Sequence, residues 1–317
     1  MEPMRQHVRT MLVGIAMGAA EIVPGVSGGT IAFVSGVYDR LVASLRQATP
    51  MLIADVVKDG FGSAWRRVDG TFLVVLFGFM GIGILLFANL ISYVLEVRPV
   101  LLWSFFFGLV LASSWVVGKQ VRERNLRTLA MFVVGGSLGL LISGDVVPVA
   151  LTPTPVTLFL GGAVAVCAWI LPGMSGSFIL LVLGLYAHVI DAIKRLDVES
   201  VSFLALGCAV GLMSFSQVLS RLLADYRGPT LSLLIGFMLG SLKKLWPWRH
   251  TTSYQMKSDG ASVPVVQVAV APSEYLELTG MPPEIGLAIA MGVVGVVLVL
   301  LTDWISARFD ASSTPAD

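Results

Sequence analysis

The chain carries the same interruption twice. One apolar run breaks at Pro24-Gly25-Val26-Ser27-Gly28-Gly29 and a second at Pro172-Gly173-Met174-Ser175-Gly176-Ser177. Offset by 148 positions, Pro24, Gly25, Ser27, Gly28, Ile31, Val34, Gly36 and Tyr38 match Pro172, Gly173, Ser175, Gly176, Ile179, Val182, Gly184 and Tyr186. Eight identities in fifteen positions mark an internal repeat. Pro and Gly impose turns. The segments 9–46 and 156–195 therefore each read as two apolar half-helices meeting at a small, polar tip. Each half, at about 14–19 residues, is short for a membrane crossing of its own.

Composition says what surrounds these segments. The chain of 317 residues is 56% hydrophobic and 13% charged, with a mean hydropathy of +0.86. A soluble domain carries about 25% charged residues, so this surface needs lipid to cover it. Unbroken apolar segments lie at roughly 71–96, 99–118, 128–143, 201–223, 229–246 and 284–305. The expected fold is an all-α polytopic membrane protein: about six transmembrane spans and two re-entrant helical hairpins arranged as an inverted repeat. Repeat one covers about 9–118 and repeat two about 156–246, with a last span at 284–305. All belong to one transmembrane domain over 1–310, followed by a disordered tail at 311–317.

The net charge of +1 provides no field for nucleic acid. Cys167 and Cys208 lie in apolar runs without metal-ligand spacing and read as packing thiols. No metal or cofactor is expected. Arg5, His7 and Arg9 precede an apolar run ending in Gly18-Ala19-Ala20, a pattern shared with cleaved signals. Removing that run would amputate one of two matched units, so it is expected to be retained.

Topology follows from counting. If each broken segment returns to the side it came from, three spans separate the two hairpins, which then enter from opposite faces. With the N-terminus in the cytoplasm, only Arg98, Lys194, Arg195, Lys243, Lys244, Arg249 and Lys257 fall outside, and the remaining Lys and Arg fall inside. That is the direction of the positive-inside rule. Both termini are then cytoplasmic, in a bacterial inner membrane. Residues 47–70 suit an amphipathic surface helix, and 247–283 an external loop with room for a short hairpin.

Irregular backbone at membrane depth is tolerated only where protein buries it or water reaches it. Two such breaks at matching positions of inverted halves point to a substrate site. Gly28, Gly29 and Gly176 permit close approach. Half-helices starting there would aim N–H groups at the centre, with hydroxyls from Ser27, Thr30, Ser175 and Ser177 beside them. Pro24, Gly25, Pro172 and Gly173 shape the two tips. Such a device holds an anion, especially a phosphate, without a buried cation. Close helix packing and simple N-capping use the same residue types. Glu21, at the end of the first half-helix, is costly at membrane depth and reads as a proton- or cation-coupling site. Trp169 takes its place in the second repeat. Arg40 and Arg46 after the first hairpin, and Lys194 and Arg195 after the second, are placed to steer a headgroup or to snorkel.

Gly18-Ala-Ala-Glu-Ile-Val-Pro-Gly-Val-Ser-Gly-Gly-Thr30 and Trp169-Ile-Leu-Pro-Gly-Met-Ser-Gly-Ser-Phe178, with a Gly-x-Tyr after each and Trp-Pro-Trp at 246–248, resemble the polyprenyl-phosphate transporter family. The resemblance covers nearly the whole chain. It implies a flippase that returns undecaprenyl phosphate from the outer to the inner leaflet, recycling the lipid carrier for peptidoglycan and other envelope polymers. It also implies that substrate binding falls on the motif residues already named. Glu21 stands where an Asp is also common in that family. The partners implied are the polyprenyl phosphate and membrane lipid; self-association with like chains is left open.

Two other readings stay in view. Undecaprenyl-pyrophosphate phosphatases also pair re-entrant loops. Phosphoryl transfer needs positive charge at the developing oxyanion, yet no Arg, His or Lys lies between Cys167 and Tyr186, and His188 lies just beyond. The absence favours moving a phosphate over cleaving it. A small-anion secondary transporter is the other alternative.

Overall fold

The computed structural model describes residues 2–23, 26–49, 51–144, 151–256 and 262–311. Pro24, Gly25 and the 312–317 part of the tail lie outside them. Two compact units emerge: Met1–Ser92, Asp145–Arg227 and Thr251–Gln267 in one, and Tyr93–Gly144, Gly228–His250 and Val268–Asp317 in the other.

The first unit holds both interrupted segments. The first consists of α1 (Glu2–Glu21), α2 (Gly28–Val34) and α3 (Tyr38–Gln47). Two short helices follow, α4 (Met51–Asp59) and α5 (Phe61–Arg67), and then the long α6 (Gly70–Val97). In the second repeat, α9 (Pro155–Ile170), α10 (Gly176–Val182), α11 (Tyr186–Arg195) and α12 (Val198–Asp225) occupy the same order. Helices α10 and α11 turn on each other by 111°. Gly36 and Gly184 make the equivalent bends, with φ of +71° and +72°. Only glycine reaches that left-handed region without strain, which accounts for the Gly-x-Tyr after each motif.

The repeat is also visible as contacts. A Cβ placed on Gly14 of α1 would lie 2.5 Å from Leu76 O of α6; one on Gly162 of α9 would lie 2.4 Å from Leu204 O of α12. A Cβ on Gly83 would lie 2.3 Å from Ile15 O, and one on Gly211 2.5 Å from Ala163 O. The short helices correspond at an offset of 148 and the long ones at 128. Backbones touch because no side chain separates them, the small-residue packing that replaces hydrophobic drive in lipid. The repeats differ one turn earlier: nothing lies within 4 Å of a Cβ on Gly78, while one on Gly207 would meet Phe159 O.

The second unit contains α7 (Pro99–Gly118), α8 (Leu126–Ile142), α13 (Arg227–Ser241), a 3-10 turn (Leu242–Leu245), α14 (Pro272–Thr279) and α15 (Ile285–Ala311). The symmetric register continues here. Gly108 of α7 abuts Gly292 O of α15, and Gly236 of α13 abuts Phe132 O of α8. Likewise Gly295 meets Phe105 O, and Gly135 meets Leu233 O. Thus α8 and α15 are counterparts at an offset of 160, each packed on a helix of the other repeat.

Among the described residues four helices are long and apolar enough to cross a membrane, α6, α7, α12 and the Ile285–Trp304 part of α15, or up to five spans counting the bent α10–α11 pair. Only 17% of the apolar window is buried in α6, 11% in α12 and 17% in α15, against 67% in α7. Long apolar faces left this bare require lipid. Helices α8 and α13 have 17 and 15 residues. Not all regular structure is helical: β1 (Arg249–Met256) and β2 (Ser262–Ala269) form a two-stranded sheet within the stretch read as a loop. Cys167 and Cys208 are free thiols placed against Gly211 O and Gly162 O, in the α9–α12 packing.

Candidate functional site

In the first unit the two interruptions meet. Glu21 closes α1, and its Oε1 accepts from Gly28 N–H at 2.5 Å and from Trp169 Nε1 at 2.7 Å. The Ser27 hydroxyl donates to Trp169 O at 2.9 Å, and its Oγ accepts from Gly29 N–H at 3.0 Å. Gly173 N–H donates to Thr30 Oγ1 at 2.9 Å. The Tyr38 hydroxyl donates to Ile170 O at 3.0 Å. Four side chains of the first repeat are therefore bonded to residues 169–173 of the second. The distances between the glycines and their neighbours are as tight: a Cβ on Gly28 would lie 2.9 Å from Glu21 Oε1, and one on Gly29 would lie 2.5 Å from Trp169 O.

The local reasons are in the sequence. Carbonyls at the end of α9 lose their helical donors where Leu171 turns to an extended conformation (φ −67°, ψ 124°). They are orphan acceptors, and the hydroxyls of Ser27 and Tyr38 satisfy two of them. The N-terminus of α2 has the complementary need. Ser27 is its N-cap, Gly28 N–H goes to Glu21, and Thr30 N–H goes to Ser27 O at 2.9 Å. The sequence pattern suggested open N–H groups at this tip. They are satisfied instead, because buried donors cannot stand empty without large cost.

The second tip is built differently. Pro172, Gly173, Ser175 and Gly176 are buried, but Ser177 is exposed. Ser175 caps α10 without a side-chain bond to its backbone, and its Oγ lies 2.7 Å from Ser177 Oγ. Gly173 takes φ +91°, and a Cβ on Gly176 would lie 2.7 Å from Ala165 O. The described motif residues thus form one contiguous cluster with a filled first tip and a more open second one.

The proposed steering cations are elsewhere. Arg40 pairs with Asp69 at 2.6 Å and lies over the Phe72 ring at 4.3 Å. Arg46 donates to Ser220 Oγ at 3.2 Å. Lys194 and Arg195 end α11 on its exposed side, with Arg195 bonded to Asp191 at 2.9 Å. His188 sits 3.2 Å from Ser200 Oγ. Among the described residues no group of three His, Cys, Asp or Glu side chains could hold a metal ion.

Two residues join the cluster that motif reading did not assign to it. Trp169 contributes an indole donor and stacks on Phe77 at 6.0 Å between ring centroids. Tyr38 is fully buried, with Phe33 packed edge-on at 4.8 Å. The signal for both was present in the repeat: Tyr38 matches Tyr186, and Trp169 stands at the position equivalent to Glu21.

The model of the VCA0040-like family, described as undecaprenyl phosphate translocase-like, matches residues 17–263, which include both tips. The chain is 43% identical to the polyprenyl-phosphate transporter of Vibrio cholerae over 294 residues, covering 93% of this chain and 95% of that protein. It is 30% identical to the polyprenyl-phosphate transporter of Staphylococcus aureus over 260 residues, 75% of this chain and 85% of that one. No solved structure matches.

Proposed function

Because this chain belongs to the undecaprenyl phosphate translocase-like family, we propose that its hairpin cluster is where the phosphate headgroup of a polyprenyl lipid is carried through the membrane. The protein is a multi-pass membrane transporter of polyprenyl phosphate, not an enzyme. Cargo moves from the outer to the inner leaflet of the bacterial cytoplasmic membrane, returning the lipid carrier for reuse.

The observation that carries this reading is the position of Glu21. A carboxyl oxygen already sits on the first tip, receiving the Gly28 N–H and the Trp169 indole N–H. Donors that hold a carboxylate oxygen also suit a phosphate oxygen. The Ser175 and Ser177 hydroxyls add a second set, with Ser177 already open. The headgroup is first received at the second tip and then takes the donors from Glu21. A protonated Glu21 yields them more readily than a carboxylate, because charged acceptors bind N–H groups more strongly. Proton uptake at Glu21 and headgroup capture are thereby coupled.

The access path follows from the repeat. The two broken segments are re-entrant hairpins entering from opposite faces, accompanied by six spans with α8 and α13 tilted or locally thinning the bilayer. Both termini are cytoplasmic and 247–283 is external. Rocking of the inverted halves exposes the tips to one leaflet and then to the other. The polyprenyl tail stays in lipid, where it loses no hydrophobic stabilisation.

The test is reconstitution. Vesicles containing the purified protein should move a labelled polyprenyl phosphate between leaflets faster than empty vesicles. Ser27→Ala/Ser175→Ala should lose most of that rate. A rate unchanged by the double substitution would remove the cluster as the carrier site.

A further inference from the structure

Arg249 lies in the second unit, at the start of β1, and shares no residue with the hairpin tips. Three of its features are fixed. The guanidinium carbon lies 3.6 Å from the centroid of the Trp103 ring. Nη1 donates to Lys244 O at 2.8 Å. Nε and Nη2 are buried and have no hydrogen-bond partner. No carboxylate among the described residues lies within ion-pair distance of the group. Burial draws its pKa down to about 9, with Tyr275 opposing, so the side chain is charged at neutral pH.

The geometry of the empty edge is specific. Nε and Nη2 share one edge of the planar guanidinium and donate in parallel, the fork that meets two oxygens of one carboxylate or phosphate. Trp103 blocks the ring-facing surface and the Lys244 carbonyl occupies the opposite edge, so this fork is what remains. The scaffold around it is rigid. Trp246 Nε1 donates to Val270 O at 2.9 Å and Trp248 Nε1 to Pro283 O at 2.7 Å. Trp248 also packs with Val100, Tyr275 and Ala288. A buried, charged donor pair without an acceptor is unstable in isolation. A structure that holds it in place is completed by an anion.

We infer that the Nε/Nη2 edge of Arg249 is a second oxyanion seat, taking a phosphate group at a place separate from the hairpin tips. The choice of phosphate over carboxylate rests on the transport reading above; the existence of the seat does not. Loading it requires a neighbouring side chain to move aside, since both nitrogens are closed to solvent. The phosphate is that of a lipid headgroup or free inorganic phosphate, which the same fork recognises.

The experiment is equilibrium dialysis of the purified full chain in detergent, with radiolabelled inorganic phosphate and with a water-soluble short-chain isoprenyl phosphate. The wild type should bind saturably. Arg249→Gln should weaken that binding by roughly tenfold or more, and Arg249→Lys, which keeps charge but loses the fork, by several-fold. Ser27→Ala/Ser175→Ala should leave the Arg249-dependent component in place. Binding of the isoprenyl phosphate alone identifies the lipid headgroup as the source; equal binding of both probes identifies phosphate itself. Wild-type affinity in Arg249→Lys, or no saturable binding of either probe to the wild type, overturns the seat. A melting curve checks each variant, and the lysine variant decides if the glutamine one does not fold. Persistence of Arg249-dependent binding in a protein that moves no lipid in vesicles would count against the transport reading alone.

Discussion

Glu21 and Trp169 occupy the same position in the two repeats, and they are bonded to each other: Trp169 Nε1 donates to Glu21 Oε1 at 2.7 Å. Residues at equivalent positions that touch each other each face their own counterpart. Two glutamates there would repel, and two tryptophans would have donors without an acceptor. One acceptor opposite one donor satisfies both. The asymmetry between otherwise matched motifs is thus a requirement of the contact they make.

Glu21→Gln keeps the shape and removes the charge. Lipid transport in vesicles should fall by roughly tenfold, about the value of one charge-assisted hydrogen bond. Its dependence on pH across the range where the wild type responds should flatten. A variant with wild-type rate and an unaltered pH profile would exclude Glu21 as the coupling group.

Trp169→Phe retains the ring against Phe77 and removes the indole donor. Thermal unfolding in detergent should show a loss of about 1–2 kcal/mol. In the double-mutant cycle with Glu21→Gln, the two losses should fall well short of adding, since both report one bond. Additive losses would separate the two residues energetically.

Tyr38→Phe deletes a buried hydroxyl and leaves Ile170 O, at the end of α9, without that donor. A cost of about 1–3 kcal/mol is expected from the unsatisfied carbonyl, read in the same unfolding measurement. The edge-on contact with Phe33 should survive, so the loss isolates the polar bond.

Gly29→Ala places a methyl group 2.5 Å from Trp169 O, a backbone atom that cannot rotate away. Gly78→Ala, where nothing lies within 4 Å, is the control. The first should cost about 1–3 kcal/mol through overpacking and most of the transport rate. The second should be near neutral in both assays.

Accessibility distinguishes the two tips. In a background lacking Cys167 and Cys208, Ser177→Cys should react readily with a hydrophilic thiol reagent. Ser27→Cys should be protected, since Ser27 is 0% exposed. Equal reactivity in resting protein would contradict the filled first tip.

Much of this molecule can be read from residue order alone. Apolar segments, the Pro-Gly interruptions and their offset of 148 are properties of the linear chain, because lipid selects composition and turns select residue types locally. The motif residues were recognisable for the same reason, and so was the family. What they touch was not. That Glu21 rather than water or cargo satisfies Gly28 N–H, that Ser27 and Tyr38 reach carbonyls more than 130 residues away, and that Trp169 is the partner of its own counterpart depend on how two segments meet in space. The kinship of α8 and α15, by contrast, is written in the residues as well: eight of the twelve positions 130–141 recur at an offset of 160, and the fold adds that the same backbone approaches recur. Arg249 looked like one more external charge. Only packing against Trp103 shows that it is buried with one edge empty, since burial and hydrogen-bond satisfaction are properties of the folded neighbourhood and not of the residue.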